Sequence, residues 1–317
     1  MRMADGSKET FVAGWHVLWR RWGILCWVFA ANVALGALGT LPAARQLRNI
    51  LRHTLAGEQL FKGFDVGMFY ELVRVPEAGL LRFTNSSYLW AALFPVFLLL
   101  ISGGILEAYR QDRRLSTGEF FAASGAFFWR FVRLALISLV PFAVLYNAYL
   151  AVDKVADHLG DKVTVDQIGF LIWLVGVIVL VLLALFVRLW FDVAKVRAVA
   201  EDERSMVFNT FKSLDIAQRR LGSLLWLYLR ISLLAWMAAL MAFLIWTKLP
   251  PTTIWATFIL LELVVLAQLA ARLWQMASLT IWYQRYAAEF ARPQLEVIEP
   301  EPQLSLYPET ELPAADA

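Results

Sequence analysis

The stretch 168–187, "IGFLIWLVGVIVLVLLALFV", decides the fold class of this chain. It contains no charged residue and matches the roughly 20 apolar residues that an α-helix needs to cross the hydrocarbon core of a bilayer. The whole composition agrees, because 60% of the residues are hydrophobic and 17% are charged. A soluble domain has roughly 45–50% apolar and 25% charged residues. The sequence therefore predicts a helical membrane protein.

Five further apolar runs accompany this one. The six predicted spans cover residues 22–41, 88–108, 131–151, 168–187, 231–249 and 254–275. Pro95 and Pro141 fall inside two of them and predict kinks. Residues 1–21 predict an amphipathic cytoplasmic segment before the first span, and residues 292–317, rich in proline and carboxylates, predict a disordered acidic tail. The predicted fold is an all-α polytopic membrane helix bundle, with residues 22–291 as the six-span membrane domain.

The distribution of lysine and arginine predicts the orientation of the bundle. Basic residues are more numerous on one side of the predicted spans. The segments before the first span, between the second and third, between the fourth and fifth, and after the sixth together carry more of them than the other three connections together. Basic residues favour the cytoplasmic side. The sequence therefore predicts cytoplasmic N and C termini.

The first outer connection is also basic. Residues 43–55 place Arg45, Arg48 and Arg52 on one helical face and a leucine-rich stripe on another. A basic amphipathic helix of this kind lies along lipid headgroups. A helix that caps the bundle from outside has the same pattern.

Residue types that carry catalysis or hold cofactors are sparse. The chain has one cysteine, Cys26, and three histidines far apart in the sequence, His16, His53 and His158. No nucleotide-binding loop or zinc-protease motif occurs, and a net charge of +3 does not indicate nucleic acid. The sequence therefore predicts a protein without enzymatic activity, metal or cofactor.

Three segments that precede the odd-numbered spans resemble one another. They read "ETFVAGWHVLWRR", "EFFAASGAFFWRF" and "NTFKSLDIAQRRL". Each has a phenylalanine nine residues before an arginine: Phe11 and Arg20, Phe121 and Arg130, Phe211 and Arg220. We call these segments the lead-ins. They indicate either a threefold internal repeat that forms a collar, or the common preference of membrane-entry helices for aromatic and basic residues.

Two polar residues fall near the middle of predicted spans. Glu262 lies in the sixth span and Asn32 in the first. If these helices are neighbours, the Asn32 amide is able to donate a hydrogen bond to the Glu262 carboxyl. The pair indicates either a polar contact that sets helix packing or a proton- or cation-coupled pathway.

The stretch 188–205, "RLWFDVAKVRAVAEDERS", contains no Gly or Pro and predicts that the fourth span continues as helix beyond the membrane. Leu189, Val193 and Val196 form an apolar stripe that is predicted to dock on the lead-ins, and Ser205 is predicted to cap the next helix. Charges three or four residues apart predict surface ion pairs worth roughly 0.2–0.5 kcal/mol each. The predicted pairs are Arg188 with Asp192, Asp192 with Lys195, and Arg197 with Glu201. We interpret the stretch as a cytoplasmic stalk and as the first place to expect a protein partner.

The six-span layout, the motif "GFD" at residues 63–65 and "FDVAKVRAVAEDERS" at residues 191–205 resemble a group of uncharacterised bacterial inner-membrane proteins. That group is similar to the membrane domain attached to some glycerophosphoryl diester phosphodiesterases. The resemblance implies a helical bundle in the bacterial inner membrane. It implies no catalytic residues, because the phosphodiesterase chemistry lies in a separate soluble domain that this chain lacks.

The sequence leads to three hypotheses for the function. The first is a non-catalytic scaffold or accessory subunit of a membrane complex, with a protein partner at its cytoplasmic face. The alternative is a small transporter or channel that uses Asn32 and Glu262. The third is lipid handling at the outer interface by Arg45, Arg48 and Arg52.

Overall fold

The computed structural model describes residues 2–51, 80–111, 113, 115–160, 166–250 and 253–296. Within these ranges the chain forms eight α-helices and no strand. They are α1 Arg2–Arg20, α2 Trp22–Leu51, α3 Leu80–Arg110, α4 Thr117–Gly160, α5 Asp166–Ala200, α6 Met206–Arg219, α7 Leu221–Trp246 and α8 Ile254–Glu296. The predicted all-α fold is confirmed.

Six of the helices are long and apolar enough to cross a membrane: α2, α3, α4, α5, α7 and α8. They pair in chain order as three hairpins, α2 with α3, α4 with α5, and α7 with α8. The helices α3 and α4 continue through Pro95 and Pro141. The fold is therefore a membrane bundle of three helical hairpins.

The lead-ins lie together at one end of the bundle, which we call the basal end; the opposite end is the distal end. The core of the protein is at the basal end. Its largest fully buried side chains include Tyr228, Phe131, Ile105, Leu189, Leu224 and Leu279. Burial of such side chains is the main source of stability in a helical core.

Each lead-in packs against the second helix of a different hairpin. The helix α1 packs on α8, the start of α4 on α3, and α6 on α5. Small residues permit two of these contacts, because a β-carbon at Gly14 would collide with Ser278, and one at Gly104 would collide with Ser124. The three contacts close a ring, which supports the interpretation of the lead-ins as a collar with threefold pseudo-symmetry.

The distal halves of the hairpins are open. On α7, Ala235 faces α8, because Gln268 Nε2 donates a hydrogen bond to its carbonyl at 3.3 Å. At 3.6 residues per turn, Trp236 lies about 100° to one side of Ala235 and Met241 about 120° to the other. Both are exposed, at 69% and 58%. In a closed bundle one of these two flanks would be buried, so the distal half of α7 contacts α8 alone.

The same pattern occurs on α5. Gly176 faces Val152 of α4. Val175 lies about 100° to one side of Gly176, and Phe170 lies about 120° to the other. They are 55% and 61% exposed. The hairpins of the described chain therefore join at the basal end and separate towards the distal end.

Three boundaries differ from the sequence-based expectations. The helix α2 continues without a break to Leu51, so the predicted amphipathic helix 43–55 is, as far as it is described, an extension of the first span. The second lead-in is continuous with its span, because α4 passes through Arg130 without interruption. The helix α8 extends to Glu296, into the predicted tail, and residues 297–317 lie outside the described part.

The predicted break after the fourth span is confirmed. The helix α5 ends at Ala200, and α6 begins at Met206. Asp202 adopts a φ of 51°, the left-handed conformation that ends a helix. Ser205 occupies the N-cap position of α6, but its side chain makes no capping hydrogen bond.

Candidate functional site

Asp192 of α5 is the centre of a buried polar cluster near the basal end. Asp192 as a whole is 3% exposed. Arg272 Nη2 of α8 donates a hydrogen bond to Asp192 Oδ1 at 2.7 Å, and Tyr228 Oη of α7 donates one to Oδ2 at 3.1 Å. Lys195 Nζ lies 3.6 Å from Oδ1. One carboxylate thus connects α5, α7 and α8.

Arg188 extends this cluster through a chain of hydrogen bonds. Its Nη2 donates to Gln275 Oε1 at 3.2 Å, and Gln275 Nε2 donates to Ser232 Oγ at 3.0 Å. We call Arg188, Asp192, Lys195, Tyr228, Arg272 and Gln275 the Arg188 cluster. Three of its side chains are cationic and one is a carboxylate.

The predicted surface pair of Arg188 with Asp192 is wrong. Asp192 binds Arg272 instead, and it is buried rather than on a wet helix face. The reason is tertiary: this part of α5 packs against both α7 and α8. The predicted contact between Asp192 and Lys195 is present as a long ion pair.

Arg272 was not singled out by the patterns described above, but the sequence contains a signal for it. The tripeptide Arg-Leu-Trp occurs at residues 188–190 and again at 272–274, in the second helices of two hairpins. Each tryptophan binds a lead-in. Trp190 Nε1 donates to the Thr210 carbonyl at 2.7 Å, and Trp274 Nε1 donates to the Phe11 carbonyl at 2.9 Å. The two tryptophans thus make equivalent contacts, whereas the two arginines do not, because Arg188 binds Gln275 and Arg272 binds Asp192.

A second ionic cluster holds the junction between α5 and α6. Arg197 is 3% exposed, and its Nη2 lies 2.7 Å from Glu201 Oε2, as predicted from their spacing. Its Nη1 donates to Asn209 Oδ1 at 3.3 Å. Tyr283 Oη of α8 donates to Glu201 Oε1. Burial alone raises the pKa of Glu201, but the hydrogen bonds from Arg197 and Tyr283 outweigh it and lower the pKa.

The second lead-in also binds this junction. Arg130 Nη1 lies 2.6 Å from Asp202 Oδ1. This hydrogen bond holds the pKa of Asp202 below its ordinary value. The second lead-in thus contacts the turn after α5 through Arg130.

The other lead-in residues have different environments. Phe11 packs on Trp274 with ring centroids 4.4 Å apart. Phe121 and Phe211 are 57% and 65% exposed. The three phenylalanines are therefore not equivalent in packing, although each lead-in packs on the second helix of a hairpin.

The predicted apolar stripe of the stalk lies inside the protein. Leu189 and Val193 are 0% exposed, and Val196 is 3% exposed. These side chains belong to the basal core together with residues of α1, α6, α7 and α8. They are therefore occupied within the chain and offer no surface to a partner.

The structure places Asn32 and Glu262 on neighbouring helices, α2 and α8. Within the described part of the chain no hydrogen bond joins them, and Glu262 Oε2 is buried without a hydrogen-bond partner there. At the far end of α2, Arg45 and Arg48 are exposed. Arg52 lies outside the described residues.

A cleft of about 440 Å³ lies between the basal ends of α3, α4 and α5. Four of its charged residues form two ion pairs: Arg110 Nη2 lies 2.7 Å from Glu107 Oε1, and Arg113 Nη2 lies 2.8 Å from Glu119 Oε1. Asp202, which also lines the cleft, pairs with Arg130. The first pair lies within α3, and the second joins the connection after α3 to the first turn of α4.

No protein-family model, curated protein or solved structure matches this chain. The resemblance to the membrane domain of glycerophosphoryl diester phosphodiesterases therefore stays a prediction.

Proposed function

We propose that the protein is a non-catalytic scaffold subunit of a membrane complex, which takes transmembrane helices of a partner chain between the distal halves of its hairpins. The observation that carries the proposal is the exposure of both flanks of α7, at Trp236 and Met241. One flank faces the lipid around the protein, and the other faces the space between hairpins. Helices associate in lipid by close van der Waals packing, which this apolar space offers.

The basal end supports this proposal because it fixes the geometry of the hairpins. Ion pairs cross from α5 to α8 at Asp192 and Arg272, and from α4 to the turn after α5 at Arg130 and Asp202. A rigid base with separated arms is suited to holding other helices at defined positions. Catalysis needs a positioned reactive group, and the described clusters hold their charges in mutual pairs.

In this proposal the basal end faces the cytoplasm of a bacterial cell, with both termini inside. The excess of basic residues in the basal segments supports this orientation. Cysteine labelling tests this orientation. Because Cys26 is the single cysteine of the sequence, one substitution removes the background reaction. In a Cys26→Ser background, a cysteine at His158 is expected to react with a membrane-impermeant maleimide in whole cells, and one at Gln218 only after lysis. The reverse labelling pattern would contradict the orientation.

Photo-crosslinking in living cells tests the scaffold itself. A benzoylphenylalanine residue replaces Trp236 in one variant and Met241 in another, with Leu244, on the side of α7 away from α8, as a matched control. We expect one flank to yield a single crosslinked band with a membrane protein, identified by mass spectrometry, and the other two positions to yield none. The same partner is also expected to co-purify with the wild-type full chain after reconstitution in a nanodisc. Absence of a protein crosslink at both flanks would overturn the proposal.

A transporter or channel is the second candidate, and the unpartnered Oε2 of Glu262 favours it. A buried ionisable side chain at membrane depth is a marker of ion pathways. Access of water to residue 262 distinguishes a transporter or channel from a scaffold. In the Cys26→Ser background, a pathway predicts that Glu262→Cys reacts with a small charged thiosulfonate, whereas a dry polar contact predicts no reaction.

A further inference from the structure

The positive charge of the Arg188 cluster exceeds its negative charge. The carboxylate of Asp192 is satisfied by Arg272, Tyr228 and Lys195. Arg188 binds only the neutral Oε1 of Gln275, and in the described part of the chain no carboxylate lies within ion-pair distance of its guanidinium. A guanidinium offers five N–H donors, so most of the donors of Arg188 remain available.

Arg188 is also accessible. Arg188 is an exposed residue, whereas the side chain of Asp192 beside it is 4% exposed and that of Arg272 is 23% exposed. The interior of the cluster is thus closed by the Asp192–Arg272 pair, and Arg188 is its open side. A ligand that approaches Arg188 meets the combined field of this residue, Lys195 and Arg272.

The depth of the cluster indicates what approaches it. Arg188 lies 22 positions after the start of α5, which is about 33 Å along a helix. Arg272 lies 18 positions after the start of α8, about 27 Å along it. The hydrocarbon core of a bilayer is about 30 Å thick, so both guanidinium groups lie near the level of the headgroups at the basal side.

A tryptophan on α7 agrees with this level. Trp226 of α7 is 49% exposed, and the guanidinium of Arg230 lies 4.6 Å from the centre of its ring. Exposed tryptophan beside arginine is typical of the interface between lipid and water. The rise along α5 and this tryptophan on α7 both favour the headgroup level for Arg188.

We propose that the Arg188 cluster binds the phosphate of an anionic phospholipid in the basal leaflet, with Arg188 as the accessible ligand and Lys195 and Arg272 as supporting charges. The planar guanidinium matches two phosphate oxygens. Basic pockets between transmembrane helices bind anionic headgroups in this way. The bound lipid would cover the junction of α5, α7 and α8. The site is independent of the scaffold function proposed above.

The test titrates the full chain, purified in neutral maltoside micelles, with dioctanoyl phosphatidylglycerol in a calorimeter. Dioctanoyl phosphatidylcholine, which has no net charge, is the reference lipid. We expect Arg188→Gln to weaken binding of the anionic lipid at least about tenfold. Arg133→Gln, which removes another exposed basal arginine at the start of the third predicted span, is expected to change it less than about twofold.

Each other outcome overturns the proposal. Equal loss in both variants would mean that general surface charge attracts the lipid, and unchanged binding in Arg188→Gln would place the lipid elsewhere. Displacement of the lipid by inorganic phosphate at millimolar concentration would assign the site to a soluble anion. If Arg188→Gln is not monodisperse, Arg188→Lys replaces it. The lysine keeps the charge but lacks the two-point fit, so binding must weaken about threefold or more, and unchanged binding would contradict the assignment.

Discussion

Asp192 of α5 and Arg272 of α8, 80 positions apart in the chain, form a two-point ion pair in the interior of the basal end. Tyr228 of α7 adds a third helix to the contact. One carboxylate thus contacts side chains from two other membrane helices. This arrangement leads to the first prediction.

Removal of one partner is expected to destabilise the bundle strongly. In Arg272→Gln the carboxylate of Asp192 stays buried without its main counter-charge, and loss of one partner of a buried pair costs about 3–5 kcal/mol. Unfolding in mixed micelles of maltoside and dodecyl sulfate measures the change. Arg219→Gln is the control, because its pair with Asp215 is exposed and exposed pairs contribute little to stability. Equal effects of the two variants would show that the buried pair does not hold the helices.

The close contact of α3 with the second lead-in leads to another prediction. A β-carbon at Gly104 would lie 2.7 Å from the Phe120 carbonyl oxygen, a backbone atom that has little freedom to move. We expect Gly104→Ala to lower the free energy of unfolding by about 1–3 kcal/mol. Gly125→Ala is the matched control, since nothing lies within 4 Å of its added carbon. There, alanine is expected to stabilise the helix by about 0.5–1 kcal/mol.

Acid is expected to weaken the junction of α5 and α6. The hydrogen bond from Arg130 lowers the pKa of Asp202, and hydrogen bonds from Arg197 and Tyr283, against the effect of burial, lower the pKa of Glu201. A carboxyl whose pKa is lower in the folded state than in the unfolded state stabilises the fold above its unfolded pKa. That contribution is lost as the pH falls through the folded pKa.

The test compares melting temperatures between pH 6 and pH 3. The wild-type chain is expected to lose more stability over this range than the double variant Asp202→Asn with Glu201→Gln. In that variant Glu203, 3.8 Å from Arg197, is the carboxylate that remains among these three neighbouring residues of the junction. At pH 6 the wild-type chain is expected to be the more stable of the two. Parallel pH profiles would contradict the assignment of the junction as acid-sensitive.

The sequence predicted correctly those features that depend on the residues of a single helix. Uninterrupted hydropathy predicts the six spans, and the run from Glu201 to Ser205 predicts the break between α5 and α6. The spacing of Arg197 and Glu201 predicts their ion pair, because residues four apart on a helix are neighbours whatever surrounds them.

The candidate site was less predictable because it depends on packing between helices. The spacing of Arg188 and Asp192 also favours a local pair, yet Arg272 from α8 binds Asp192. Local periodicity does not state which other helix packs against the stripe of α5. The repeated Arg-Leu-Trp tripeptide is the one pattern in the sequence that relates Arg188 to Arg272, and it does so by internal repetition rather than by contact.

This repetition leads to the last prediction. Trp190 and Trp274 each donate an indole hydrogen bond to a backbone carbonyl of a lead-in, α6 in one case and α1 in the other. We expect Trp190→Phe to increase hydrogen exchange in α6 and Trp274→Phe to increase it in α1. Each substitution is expected to cost about 0.5–1.5 kcal/mol, the net contribution of one hydrogen bond. Trp236→Phe, at an exposed position of α7, is the control and should affect neither lead-in.

The pattern of exchange carries more weight than the size of the effect. If the two tripeptides are copies of one structural unit, each tryptophan holds its own lead-in, and the two variants change exchange in different helices by similar amounts. If the resemblance arises only from the preference of membrane interfaces for tryptophan and arginine, the variants need not share this behaviour. A uniform increase in exchange across the whole basal end in both variants would contradict the repeat, because it would show general loosening of the core rather than release of one lead-in.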